Sequence, residues 1–371
     1  MNDVVALIDL YSKCGLDLLT KDRPLASTTF LGRYAFIDFS LSNLSNSGID
    51  NIGILVKDHP NSINKHILNP NAYLSNPKTG FLSLFINEKG ILNPAFNTDL
   101  NNIKENDYFL YDDKTQYVVI TDPSFIKKVD YRTILEEHKN SGRLVSLVYT
   151  HVEDGTEFHN ASKFVIDSLG DIQKTYISNE AKEADVSLNT LIINKAFLKE
   201  LLELSNTISV SYSISELLEY CGRFVTKIHA IKFDGFVRHV SSLSSYFTTS
   251  MEFVKNPEIF SYFLMDPEWS FYTTTHNSRP VIYGPHSKVT SSIVANGATI
   301  NGVVKNSIIS RDVTIEEGAV VENCILFTHS VVKAGVHLKN VVCDKRVVFK
   351  SKNLVEGSEE HPLYFPRGVN V

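Results

Sequence analysis

The run GVVKNSIISRDVTIEEGAVVENCILFTHSVV, Gly302–Val332, has a period that neither a helix nor an ordinary strand pair produces. Apolar residues return every six positions at Val303, Ile309, Ile315, Val321 and Phe327, and again at Val313, Ala319, Ile325 and Val331. A helix repeats near 3.6 residues and a strand at 2. Glycines at Gly284, Gly297, Gly302, Gly318 and Gly335 punctuate the same region. A period of six is that of hexapeptide coils, in which each short β segment stacks on the one below and buries an apolar rung. Roughly 70 residues of such sequence make only a few coils. Their exposed edges predict support from the rest of the chain and from another subunit.

Upstream the pattern alternates. Val4–Asp9 reads as a strand, Tyr34–Ser47 as an apolar-faced helix stopped by Gly48, and Asn51–Val56 as the next strand. Gln116–Thr121 is β-rich, Asp130–Gly142 is helical, and Arg143–Val152 is again strand-like. This β-α-β order predicts an α/β domain with a mostly parallel sheet. KFVIDSLGDIQKTYI reads as a hairpin and TKIHAIKFDGFVRHV as two further strands. The expected division is an α/β domain over residues 1–244, a helix and connector over 245–280, and a β-helix over 281–371.

With 371 residues the chain exceeds one core, as that division requires. A net charge of −6 gives no basic field for nucleic acid or anionic lipid. No segment reaches the roughly 18 apolar residues of a membrane span, and the N-terminus lacks a basic leader, so the expectation is a cytoplasmic protein. Cys14, Cys221, Cys324 and Cys343 are too widely spaced for a zinc site and read as reduced structural thiols.

The first strand runs into ALIDLYSKCGLDLLTKDRPLAS, Ala6–Ser27, where a nucleotide-binding domain would place its phosphate loop. Such a loop needs glycines, because the backbone must approach the phosphates and adopt positive φ. Between Leu7 and Thr20 there is one, Gly15.

The segment KDRPLASTTFLGRYAFIDFSLSNLSNSGIDNIGILV, Lys21–Val56, resembles the ADP-glucose pyrophosphorylase (glucose-1-phosphate adenylyltransferase) family. The matches are Pro24, Gly32, Tyr34, Ile37-Asp38-Phe39, Leu41-Ser42-Asn43 and Asn46-Ser47-Gly48-Ile49. The resemblance extends over the whole chain. It implies a nucleotidyltransferase domain of Rossmann-like form, followed by a left-handed β-helix. The implied chemistry joins ATP and glucose 1-phosphate, with release of pyrophosphate, by positioning and electrostatics around Mg²⁺.

Set against that family, four positions depart together. Its G-G-x-G-T-R-L loop falls on Ile8–Cys14, where Asp9 puts a carboxylate beside the expected phosphates. The aspartate of its G-D-H-[IL]-Y motif falls on Ser124, with Asp122 and Pro123 just before it. The second metal aspartate, of W-x-D-V-G-T, falls on His239, a poor ligand for a hard cation. The E-K-P lysine has no counterpart in KTYISNEAKEADV, although Lys174 and Lys182 lie nearby.

The resemblance therefore implies a chain without catalytic residues or a cofactor of its own. It would act as the regulatory subunit of glycogen biosynthesis, in a heterotetramer with a catalytic adenylyltransferase that carries the Mg²⁺, and form a homo-oligomer when alone. Candidate effector or anion-binding residues are Lys21, Arg23 and Arg33 beside Pro24, with Arg311, Lys345 and Arg346 in the repeat region. Asp38 and Asn43 are read as structural hydrogen-bonding residues. Two other readings stay open. One is an active nucleotidyltransferase using a relocated carboxylate at Asp9, Asp122 or Glu216. The other is a hexapeptide acyltransferase with His329 or His337 as its base.

Overall fold

The computed structural model describes residues 1, 3–12, 15–78, 80–274, 277–350 and 354–371. The chain divides into two compact units, Met1–Lys13 with Phe39–His239, and Cys14–Asp38 with Val240–Val371.

The first unit is built on strands β1 (Val4–Asp9), β2 (Asn51–Val56), β3 (Phe81–Ile86), β4 (Tyr117–Thr121), β6 (Val145–Val152), β7 (Ser162–Ile166), β8 (Ile172–Ile177), β9 (Ala184–Asn194) and β10 (His229–Lys232). They form one nine-stranded sheet in the order β8-β7-β9-β4-β1-β2-β3, with β6 pairing both β9 and β10. The half containing β4, β1, β2 and β3 is parallel, and β1 lies at its centre with Val4 to Ile8 buried. Strand β9 runs antiparallel to β4, β6 and β7, so the sheet is mixed. A separate ribbon pairs β5 (Phe125–Lys127) with β11 (Val237–His239).

Helix α1 spans Phe36–Asn46. The expected start at Tyr34 is corrected by two residues, because Tyr34–Ala35 pairs back on Thr29–Phe30 and the Asp38 carboxylate accepts the Ala35 amide at 2.9 Å. Helices α2 (Asp99–Glu105), α3 (Tyr131–Ser141) and α4 (Ile214–Phe224) follow. The ends of α3 are those read from sequence: Asp130 caps its start, and Gly142 closes it at a φ of 64°.

Among the described residues of the second unit, fifteen short strands make three five-stranded parallel sheets. This is the parallel β-helix that the glycine-punctuated repeat predicts. Its repeat is not a strict hexad. Thr314 pairs with Val331 and Val331 with Val348, seventeen residues on each time. Inward rungs Ile315, Val321, Leu326, Val332, Leu338, Cys343 and Phe349 are therefore spaced six, six and five. Each five-residue step contains an asparagine at positive φ, Asn323 or Asn340. Val303 and Val331 consequently fall beside the buried rungs, which are filled by Val304 and Val332.

Within the same unit, α5 (Leu243–Lys255) packs on residues before α1. Tyr246 donates to the Thr29 carbonyl at 2.7 Å, and Phe253 meets Phe30 edge-on at 5.7 Å. Gly32 has a φ of +75°, and a Cβ there would lie 3.3 Å from the Ile309 carbonyl oxygen, so glycine is required. A further helix, α6 (Pro257–Leu264), lies in the stretch expected to be irregular connector. Pro257 at its first turn starts the helix, with Asn256 as its cap. Among the described residues, no helix is long and apolar enough to cross a membrane.

Candidate functional site

The carboxyl ends of β1, β2 and β4 form the place where an open parallel sheet ordinarily takes its ligand. Residues of the expected phosphate loop do not leave the sheet there. Ile8 and Asp9 remain paired with Ile54 and Leu55, and the Leu10 amide donates to the Leu55 carbonyl at 3.1 Å. Asp9 then folds back to accept the Tyr11 amide at 2.9 Å. Tyr11 contacts the Val56 carbonyl at 3.4 Å and accepts from the Asn102 amide at 3.1 Å. A tyrosine ring thus lies where a glycine backbone would need to approach a ligand. Lys13 and Cys14, the rest of that stretch, are outside the described residues.

Burial and the nearby Asp99 push the Asp9 carboxyl well above its usual range, against the pull of the Tyr11 amide. Asp99 is raised to about 6 by burial, and its carboxylate accepts the Leu100 and Ile214 amides at 2.7 and 3.0 Å. One side chain therefore binds first-turn amides of both α2 and α4, whose caps are Thr98 and Ser213. Glu216 belongs to the same end of α4. It accepts the Ser213 amide at 2.8 Å in a capping box, so it serves a helix terminus.

Ser124 and His239 come close to one another through the β5–β11 ribbon, where Phe125 faces His239. Ser124 is fully buried, and its hydroxyl has no hydrogen-bond partner among the described residues. The His239 ring stacks on Phe125 with centroids 4.4 Å apart and lies parallel to Phe158 at 6.3 Å. Burial lowers its pKa to about 4, so it is a neutral aromatic at physiological pH. Asp122 is buried too: its carboxylate accepts the Ser124 amide at 2.5 Å and the Asn189 side chain at 3.2 Å. A hydroxyl, a stacked imidazole and one committed carboxylate do not suit Mg²⁺, which requires several hard oxygens in octahedral array. Among the described residues, no group of three His, Cys, Asp or Glu side chains could hold a metal ion.

Two buried lysines escaped the sequence reading. Lys127 donates to the Leu188 carbonyl at 3.1 Å and to Thr190 Oγ1 at 2.7 Å. Burial drives its pKa down to about 7, with Asp122 opposing that shift. Lys163 is fully buried and donates to the Ser178 carbonyl at 2.7 Å. Alternation gave no signal for either: all three residues of β5 are buried, and in β7 the adjacent Lys163 and Phe164 are both buried while Val165 is exposed. Lys174 and Lys182 are exposed.

Asp38 and Asn43 have structural partners. The Asn43 side chain donates to the Lys127 carbonyl at 2.9 Å and accepts the Val129 amide at 3.3 Å.

All six candidate anion-binding residues belong to the second unit. Arg23 is buried in an ion pair with Asp344, to which Tyr364 also donates at 3.4 Å. Its charge is thus balanced within the protein. Arg33 is exposed, with its guanidinium 5.0 Å from the Tyr34 ring centroid. Arg311 donates to the Arg33 carbonyl at 3.4 Å, and burial followed by Arg33 lowers its pKa. Lys21 and Arg346 are exposed, and Lys345 is half-buried beside Asp344. Arg33 and Arg311 make one basic group, while Lys345 adjoins the Arg23–Asp344 pair.

His329 occupies a left-handed corner 3.9 Å from Asp312, and His337 lies 3.7 Å from Glu322. Both are outward residues of the coil. Cys221, Cys324 and Cys343 are buried free thiols.

Residues 16–161 match the family described as nucleotidyl transferase, and residues 282–361 match the GlmU-like C-terminal hexapeptide family. The first match begins beyond Ile8–Ser12. The chain is 28% identical over 349 residues to a protein of Fervidobacterium nodosum named glucose-1-phosphate adenylyltransferase, covering 92% of this chain and 81% of that one. Proteins of the same name from Bacillus cytotoxicus and Clostridium perfringens (strain 13) are 29% and 27% identical. They cover 90% and 93% of this chain, and 88% and 92% of their own lengths.

Proposed function

We propose that this chain, a homologue of proteins named glucose-1-phosphate adenylyltransferase, is the non-catalytic regulatory member of such an enzyme and works by assembling with a catalytic homologue. The observation that carries this reading is the pair Ser124 and His239. Where the family resemblance requires two carboxylates for a divalent ion, there is a buried hydroxyl without a partner among the described residues and a neutral imidazole stacked on Phe125. Losing a single charged group of that kind ordinarily costs on the order of a hundred- to a thousandfold in rate. The closed end of β1 and the ring of Tyr11 support the same conclusion independently.

Such a subunit influences its partner through contact free energy. If the partner has more and less active conformations, docking that prefers one shifts their populations without chemistry in this chain. The exposed Arg33, with Arg311 beside it, offers a small anionic effector a guanidinium site in this subunit.

The test is pyrophosphate release from ATP and glucose 1-phosphate with Mg²⁺, using the full chain alone and co-purified with a full-motif homologue. Background turnover alone, combined with a changed rate or effector response of the homologue in a co-eluting complex, is expected. Full turnover by this chain alone would overturn the reading.

A further inference from the structure

Lys127 stands where the G-D-H-[IL]-Y motif, aligned with its aspartate on Ser124, has tyrosine. No part of the proposed regulatory role requires a cation there. We infer that Lys127 is a tethered cation that replaces the divalent ion, balancing Asp122 from within the polypeptide so that this unit neither needs nor accepts a metal.

The argument begins with burial. An ammonium sealed from water must be held by acceptors and by negative charge, or it will not be retained. Lys127 has both. Its Nζ is bound by the Leu188 carbonyl and Thr190 Oγ1, and that hydroxyl lies 3.0 Å from Thr121 Oγ1, which accepts from Tyr131 at 3.1 Å. The negative charge that favours its ammonium form is Asp122, which is 3% exposed. Both charged groups hang from neighbouring residues of β9: Asn189 donates to Asp122, and Thr190 accepts from Lys127.

The second step concerns what the ammonium excludes. In an interior of low dielectric, a divalent ion near Asp122 would be repelled by a positive charge fixed a few residues along the same ribbon. Ser124, buried and lacking a hydrogen-bond partner among the described residues, marks where a metal carboxylate is missing. Losing that carboxylate and gaining an internal cation shift the local charge in the same direction, and together they stand in for the two positive charges of a divalent ion.

The inference rests on reading Ser124 and His239 as replaced metal carboxylates, but its test needs no catalytic partner. Mn²⁺ binding to the full chain is measured by electron paramagnetic resonance at about pH 6, where Lys127 carries its proton. Wild type is expected to bind none at millimolar Mn²⁺. In a Ser124→Asp/His239→Asp background, adding Lys127→Tyr or Lys127→Met is expected to tighten Mn²⁺ binding about a hundredfold, while Lys127→Arg, which keeps the charge, does not. Equal affinity with and without the charge at 127 would overturn the inference, as would tight Mn²⁺ binding by wild type or by the Lys127→Arg variant. None of these results depends on whether the chain regulates a homologue, so the two readings fail separately.

Discussion

The imidazole of His239 lies flat against the ring of Phe125, with centroids 4.4 Å apart and planes 15° apart. A side chain in that position serves as a packing surface, and its environment opposes protonation.

The first prediction follows from that opposition. The ring titrates near 4 in the fold, against an ordinary 6.5. Its depressed value means that the unfolded chain takes up the proton first, so the neutral ring contributes stability above about pH 6.5 that is lost as pH falls toward 4. The loss is on the order of 3 kcal/mol. Urea unfolding of His239→Phe at pH 7 and pH 4.5 should show a smaller decline than wild type.

Asp99 should behave with the opposite sign. Its carboxyl is raised to about 6, so its contribution is present at low pH and lost as pH rises through 6. Asp99→Asn keeps an oxygen for the Leu100 and Ile214 amides while removing the buried charge. It is expected to be more stable than wild type at pH 8 by about 1–2 kcal/mol, and to lose that advantage at pH 4. Unfolding midpoints of the two proteins across this range provide the check.

The Arg23–Asp344 ion pair is sealed within the second unit. Replacing Asp344 with Asn strands a buried guanidinium and should cost about 3–5 kcal/mol. Arg23→Met combined with Asp344→Leu should recover most of that, as a double-mutant cycle of unfolding free energies will measure.

On one face of the β-helix, Lys305, Glu322, Lys339 and Glu356 align in successive coils with alternating charge. Lys305 meets Glu322 at 3.0 Å, and Lys339 meets Glu356 at 2.6 Å. Glu322→Lys makes three neighbouring positives and should destabilise by about 1 kcal/mol. The penalty should shrink in about 1 M salt, where charges separated by more than about 3 Å are screened.

Much of the fold was legible because it depends on periodicity and caps. Asp130 and Gly142 announced α3, and the spacing of Ile309, Ile315 and Val321 announced the coil. The drop to a five-residue step was hidden because Ile325, Leu326 and Phe327 are all apolar, so a strict hexad still finds a hydrophobic residue after it has slipped. The site was legible as a set of absences: glycines at Ile8–Ser12 and carboxylates at Ser124 and His239. What replaced them was not. The side chains that meet Lys127 and Arg23 are distant in sequence, at Thr190 and Asp344, and no local pattern joins them. Burial of a lysine is also contrary to its usual preference, so composition points the wrong way.

Circuit length varies along this β-helix while its columns hold: Thr299 meets Thr314 after fifteen residues, Thr314 meets Val331 after seventeen, and Val341 meets Leu363 after twenty-two. The corners between strands absorb the difference, and the stacked strands keep their register. Related chains should therefore gain and lose residues at corners, leaving the paired segments unchanged in length.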